Sequence, residues 1–260
     1  MTGTPRKRKK KSGLTAAQKE GIRLLAAFLL GAAACFTLLK WDGIKRTVHR
    51  LLTPYKLPAA EVIGIDISHH QGKINWDDLK FADGGRAVDF VVAKATEGTD
   101  HKDKDYASSK AACEKKGIPF GAYHYFKPNV PSSLQASHFV KTAKLGSGDL
   151  IPVLDIEEKG LLSAAELRAG VYEWLRAIEG TYGVKPIIYC NLDYYYRYFS
   201  TAEFKNYKFW IAAYTRDFLA IPYVLWQQTD KGILDGIKEK VDVDIFNGTP
   251  AEFRRTMVMN

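Results

Sequence analysis

Residues 61–260 alternate between short apolar runs rich in Val, Ile and aromatic side chains and longer stretches whose apolar positions recur every three or four residues. The short runs predict strands over 62–66, 90–94, 119–125, 151–156, 186–190, 209–213, 224–227 and 241–245. Helical spacing predicts helices over 105–116, 132–144 and 163–182. The last strand intervals leave little room for full helices. The expected fold is therefore α/β, a TIM-like β/α barrel with reduced helices in its last strands. These 200 residues are enough for one domain with a large core, and they contain no internal repeat.

The amino terminus has a different pattern. Residues 24–39 are apolar with no charged side chain. As a helix they would rise about 24 Å, against a hydrocarbon core of about 30 Å, and snorkelling Arg23 and Lys40 with Trp41 at the far end would cover the difference. The run is apolar all round, which fits a buried amphipathic helix poorly. A basic run at 6–11 precedes it, so the positive-inside rule places the start of the chain in the cytoplasm and sends the barrel across the membrane. The expected organisation is a cytoplasmic tail (1–23), a transmembrane signal anchor (24–41), a linker broken by Pro54 and Pro58 (42–60) and a catalytic barrel (61–260) on the cell-wall or periplasmic side. An uncleaved anchor is favoured because 36–39 stay apolar after the small-residue run at 32–34; cleavage after Ala34 with secretion, and lipidation at Cys35, are the alternatives.

The formal charge of +9 points to a nucleic-acid partner only until its distribution is drawn. Residues 1–60 hold 13 of the 38 Lys/Arg and 2 of the 29 Asp/Glu, which leaves 25 basic and 27 acidic residues in the barrel. No basic excess remains there to bind phosphates, so no nucleic acid is expected. Cys113 falls in a helical pattern and Cys190 at a strand end, where buried thiols are expected and one disulfide is the alternative. No cysteine or histidine spacing resembles a zinc site.

Candidate chemistry begins at the fourth strand. Asp155 and Glu157 stand two residues apart and would share one face of a strand while Ile156 turns away. Such a pair spans roughly 6–7 Å and approaches a sugar from one side, whereas a nucleophile and its acid/base partner flank the scissile bond at roughly 5–5.5 Å. The same-side pair fits another division of labour, in which Glu157 protonates the leaving oxygen and Asp155 orients a 2-acetamido group acting as internal nucleophile. The bland alternative is a pair of strand-end carboxylates that caps a helix or binds a cation. Chemistry in β/α barrels collects at the carboxyl ends of strands. Asp66 ends the first strand, Asp242 lies on the eighth beside it, Tyr123 and Tyr125 alternate on the third, and Gln227 lies on the seventh.

In order along the chain, the motifs Gly64-Ile65-Asp66-Ile67-Ser68-His69-His70-Gln71-Gly72, Ile74-Asn75-Trp76, Phe90-Val91-Val92-Ala93-Lys94-Ala95-Thr96-Glu97-Gly98, Gly121-Ala122-Tyr123-His124-Tyr125, Pro152-Val153-Leu154-Asp155-Ile156-Glu157, Trp226-Gln227-Gln228 and Val241-Asp242-Val243-Asp244-Ile245-Phe246-Asn247-Gly248 resemble glycoside hydrolase family 25, the Chalaropsis-type lysozymes. The resemblance covers about residues 61–248. It implies hydrolysis of the β-1,4 bond between N-acetylmuramic acid and N-acetylglucosamine in peptidoglycan glycan strands, with no metal or organic cofactor. Under it, Glu157 is the general acid/base and Asp155 steadies the intermediate formed by the acetamido group. Asp66 and Asp242 complete the acidic site, and Tyr123, Tyr125, Tyr189, Trp210 and Tyr214 are candidate sugar-contacting aromatics. Two departures stand out: Tyr123-His124-Tyr125-Phe126-Lys127-Pro128 in place of the usual Phe-His-Tyr-Ala-Arg-Pro, and Asp244 where Asn is usual. Neither is expected to touch the carboxylates. The alternative function is a membrane-tethered peptidoglycan-binding protein without turnover; a metal-dependent barrel hydrolase lacks a ligand set.

Other residues invite plainer readings. His69 and His70, if on a strand, would point to opposite faces and could not easily share a metal, so a loop role near Asp66 is expected for them. His124 should face the helical layer as a satisfied core histidine. Glu97 is expected either to line the cleft or to hold loop backbone, Asp103 and Asp105 to be a solvated loop residue and a helix cap, and Glu158 to point away from the acid pair. The aromatic cluster of Tyr194, Tyr195, Tyr196 and Tyr198 would either form a sugar-facing rim or pack under a loop.

Overall fold

The computed structural model describes residues 57–214 and 221–260. The expected tail, anchor and most of the linker lie outside the described residues, among which no helix is long and apolar enough to cross a membrane.

All eight predicted strands form: Ile63–Ile67 (β1), Phe90–Glu97 (β2), Phe120–Tyr125 (β3), Val153–Asp155 (β4), Ile187–Asn191 (β5), Lys208–Ala212 (β6), Leu225–Gly232 (β7) and Val241–Phe246 (β8). They pair in the order β1-β8-β7-β6-β5-β4-β3-β2, and β2 returns to β1 to close the barrel. Helices Tyr106–Lys116 (α1), Ser132–Ala143 (α2) and Ala164–Tyr182 (α3) follow β2, β3 and β4. Each of α1 and α3 ends on a glycine in the left-handed conformation, Gly117 and Gly183, and α3 begins in a capping box of Ser163 and Glu166.

The barrel departs from a simple β/α succession at its seam. Strand β8 runs antiparallel to both neighbours, with Asp66 opposite Asp242 on β1 and Gln227 opposite Asp244 on β7. A parallel return needs a crossover of a dozen or more residues, and residues 233–240 are too few to supply one. The chain therefore turns back as a hairpin. The reversal brings the start of β8 to the end of the barrel where the other strands finish, so Asp242 meets Asp66.

Short elements escaped the sequence pattern because two or three residues carry no measurable period. His101–Lys102 pairs with the end of β2, and Lys80–Phe81 pairs with Leu234–Asp235. A last helix, Pro250–Met257 (α4), starts in a Thr249/Glu252 capping box and lies at the other end of the barrel. Its Phe253 stacks near Phe90 and Phe246, with ring centroids 5.1 and 5.2 Å apart. Phe90 in turn fills the space over Gly64, where a Cβ would lie 2.4 Å from the ring.

Helices α2 and α3 are joined to the barrel through His124, which faces outward as expected. The imidazole is fully buried, stacks on Trp174, and hydrogen-bonds Thr96 Oγ1 at 2.7 Å and Gln135 Oε1 at 3.0 Å. Burial lowers its pKa to about 4, so the ring is neutral. Gln135 also accepts the Lys127 N–H at 2.9 Å and donates to the carbonyls of Lys127 and Val130 at 2.8 and 3.1 Å. One amide thus satisfies the loop after β3 and the buried histidine together. Gln135→Ala would orphan four buried or half-buried polar groups and is expected to cost about 2–4 kcal/mol of stability, measured by urea unfolding.

Candidate active site

Hydrogen bonds from neighbouring strands fix the end of β4. The Phe126 N–H donates to Asp155 O at 2.9 Å and the Ile156 N–H donates to Tyr189 O at 3.0 Å. The strand itself stops at Asp155, so Glu157 is not on it as the alternation predicted. Both side chains nevertheless line one cavity of about 350 Å³ with Asp66, Tyr123, Val153, Tyr189, Trp210, Gln227 and Asp242. Asp155 is buried at the wall, whereas Glu157 is exposed at the rim. A second depression begins at Glu157 and Tyr189 and continues past Asn191 and Ala212 to Tyr214, whose ring is exposed.

Five carboxyl groups converge here, and all are pushed above their ordinary range. Burial is the first cause in every case. Asp155 is pushed further by the charges of Glu157 and Asp66, and Asp66 by Asp242, while Gln227 and Asp244 hydrogen bonds pull Asp66 back down. Asp242 rises to about 6, with Asp230 and Glu157 adding to its burial. Glu157, exposed as a whole at the rim, rises because the cavity wall partly desolvates its carboxyl, against the pull of the Lys94 ammonium and of the Tyr189 hydroxyl whenever that proton turns to it. Like charges in a partly dry cleft disfavour one another's ionisation, so protons are retained in this cluster at pH values where free carboxylates lose them.

A hydrogen-bond chain runs beneath the carboxylates. Gln227 Nε2 donates to Asp66 Oδ2 at 2.9 Å, and the Tyr189 hydroxyl donates to Gln227 Oε1 at 3.0 Å. Asp155 Oδ1, by contrast, is buried with no hydrogen-bond partner among the described residues. A buried acceptor left open at a cavity wall is costly unless a ligand donor completes it.

Not every expected contact is where the sequence suggested. Trp210 is 1% exposed, meets Tyr189 edge-on and spends its indole N–H on Asp244 Oδ1 at 3.0 Å, so it is the cavity floor and offers no open face for stacking. Tyr125 lies beside the cavity, where the Glu157 and Asp155 charges add to burial in raising its pKa, and its ring is 4.7 Å from Lys94 Nζ and 4.8 Å from Lys127 Nζ. Asp244 does reach the carboxylates: it is fully buried, and after burial itself the Asp66 and Asp242 charges push its pKa up. The signal was present in Asp242-x-Asp244, since residues two apart on β8 share a face.

Lys94 was also missed as a site residue. It is buried beside the acids and pairs with Glu97 at 2.6 Å, and Lys127 joins Glu97 at 3.1 Å to Glu158 at 2.8 Å. Glu97 is thus held by ammonium groups and Glu158 points away from the cavity. Asp103 is no solvated loop residue. It is buried and accepts the His69 N–H and Nδ1 at 2.9 and 2.7 Å and the Asp105 N–H at 2.9 Å. Asp105 holds the cap position of α1 without a side-chain cap bond. His69 and His70 lie in a 3₁₀ turn, not on a strand, so their rings come within 4.1 Å of each other. No group of three or more His, Cys, Asp or Glu side chains among the described residues is arranged to hold a metal. Tyr195 packs against Phe209 and Tyr194 against Tyr198, leaving Tyr196 exposed. Cys113 and Cys190 are buried free thiols.

Residues 65–237 match glycosyl hydrolases family 25. The chain belongs to this family. It is therefore a glycoside hydrolase, and every residue that lines the acid-lined cavity except Asp242 lies within the matched region. Among its relatives, the Uncharacterized protein YegX of Escherichia coli K12 is 39% identical over 204 residues, spanning 76% of this chain and 75% of that one. Lysozyme M1 of Streptomyces globisporus is 30% identical over 211 residues, spanning 73% and 69%. The solved family 25 glycosyl hydrolase from Bacillus anthracis superposes with a TM-score of 0.68 at 26% identity, covering 78% of this chain and 96% of that one.

The raised pKa of Asp242 has a thermodynamic sign. A carboxyl that titrates near 6 when folded and near 3.8 when free contributes stability that is fully present below the lower value and lost as pH rises through the upper one. Asp242→Asn is therefore expected to raise the unfolding free energy by about 1–2 kcal/mol at neutral pH and to leave it unchanged below about pH 4, as read from urea unfolding at both pH values.

Proposed function

We propose that this family 25 enzyme is an N-acetylmuramidase that hydrolyses the β-1,4 bond between N-acetylmuramic acid and N-acetylglucosamine in peptidoglycan. The observation that carries the mechanism is the open acceptor on Asp155 beside the raised carboxyl of Glu157. Asp155 Oδ1 accepts the N–H of the substrate's 2-acetamido group, which aims the acetamido oxygen at the anomeric carbon. Glu157, at the rim, gives its proton to the leaving glycosidic oxygen and later takes one from the incoming water. The C–O bond to the leaving sugar breaks as the acetamido oxygen bonds the anomeric carbon, and water then reopens that ring. Asp155 offsets the positive charge that develops on the acetamido group, while Asp66 and Asp242 hold the substrate and keep the pair's protons up. Tyr123 and Tyr189 face the sugar at the scissile position, and Tyr214 extends the cleft.

The likeness to Lysozyme M1 and the retention of all four predicted acids support turnover over simple wall binding. Glu157→Gln should keep the fold and lower turnover by about 10²–10⁴-fold. Mass spectrometry of peptidoglycan fragments decides the matter. New reducing ends on N-acetylmuramic acid that vanish with Glu157→Gln are expected; retention of the protein on the wall without fragments would identify a binding protein instead.

The same proposal includes a membrane tether: a cytoplasmic tail at 1–23, an anchor at 24–41 and a linker at 42–60 that hold the barrel on the wall side for remodelling of the cell's own envelope. The basic run followed by sixteen uncharged apolar residues supports it. The full chain should remain with membranes after alkaline carbonate washing. Recovery from the medium of a chain that begins after Ala34 would replace the tether with secretion.

A further inference from the structure

Asp244 raises a question that the proposed chemistry does not use. Its side chain is fully buried, one strand position pair deeper than Asp242. Oδ1 accepts the Trp210 indole N–H at 3.0 Å, and Oδ2 has no protein donor among the described residues. It stands opposite Gly64, two residues from Asp66 on the same face of β1, and the charges of Asp66 and Asp242 are the ones that push its pKa up after burial. Two carboxylates in contact in a dry site cannot both ionise, so one proton lies between them. Asp66 already receives the Gln227 amide and borders the cavity, which suits it to the charged form. Asp244 is deeper, with its carbonyl oxygen matched to Trp210 and its second oxygen left to carry a hydrogen.

We propose that Asp244 is a positioning residue that keeps a proton on Oδ2 at neutral pH, donates it to Asp66, and thereby sets the direction of the Asp66–Gln227–Tyr189 hydrogen-bond chain that ends at Glu157. The direction follows from the donors. An ionised Asp66 requires the Gln227 NH₂ to face it, which turns the amide oxygen toward Tyr189. Tyr189 gives its single hydroxyl proton to that oxygen and so withholds it from Glu157, whose ionised form that donor would favour. The contact with Glu157 is then completed only when Glu157 carries the proton. The proton on Asp244 thus favours the acid form of Glu157 across four strands. This inference rests on Glu157 being the general acid for its kinetic consequence, but not for the proton itself.

Two variants of the full chain test it. Carbon-13 NMR of labelled aspartate should show a protonated carboxyl at neutral pH that is lost in Asp244→Asn; no such loss overturns the proposal whether or not the enzyme cleaves peptidoglycan. In turnover assays Asp244→Leu, which cannot donate, should lower kcat by about 10–100-fold with little change in KM, and Asp244→Asn, which donates through its NH₂, should recover most of that loss. Equal kcat in Asp244→Leu and wild type, or equal loss in both variants, overturns it as well. Should Asp244→Leu fail to fold, the NMR comparison with Asp244→Asn still decides.

Discussion

Everything at this site follows from one electrostatic constraint: five carboxyl groups are gathered at the mouth of a closed barrel that gives most of them little water. Asp66, Asp155 and Asp244 are buried, Asp242 is half-buried and only Glu157 is exposed. Their mutual repulsion opposes folding at neutral pH, and the scaffold offsets it with a continuous apolar core beneath and with placed donors. Gln227 serves Asp66, Trp210 serves Asp244, and the buried Lys94 ammonium draws Asp155 and Glu157 downward. Strain of this kind persists at functional sites because the rest of the fold over-determines the arrangement.

The antiparallel seam makes that gathering possible. Had β8 run parallel to β1, residue 242 would enter at the far end of the barrel from Asp66, and Asp244 would sit nearer the mouth than Asp242. Reversal inverts that order. It puts Asp242 level with Asp66 and drops Asp244 one step below, where Trp210 closes the floor. The short connection from β7 to β8 is therefore a functional feature and not merely a truncated crossover.

Much of this was legible along the chain. Runs of Val, Ile and aromatic residues marked every barrel strand, because buried parallel strands read as continuous apolar segments. The Asp-x-Glu pair and the strand-end acids located the cavity, since the period of a strand assigns residues to faces. Depth and direction were not legible. The family resemblance offered Trp210 and Tyr125 as sugar contacts but could not tell that one is sealed under Tyr189 and the other has its ring against two lysines. Asp103 and Asp244 were missed for the same reason: their partners, His69 and Asp66, lie far away in sequence, and a carboxylate's burial depends on those partners and not on its neighbours. His69 and His70 fall outside every predicted strand, but the 3₁₀ form of their loop was not legible because a three-residue turn leaves no period to read.

Asp155 and Glu157 illustrate why environment assigns roles that residue type does not. They leave the same strand end, yet backbone hydrogen bonds hold Asp155 and Ile156 on both sides while Glu157 is released to the rim. A group that must deliver and recover a proton needs access to the leaving oxygen and to water, and Glu157 has both. In the proposed mechanism the group that holds the acetamido N–H needs a fixed, dry acceptor, and Asp155 has an oxygen with no partner among the described residues. Exchanging the two would bury the proton donor away from solvent and leave the acceptor hydrated, where its hydrogen bond to substrate would compete with water. The proposed division of labour is therefore set by where β4 stops.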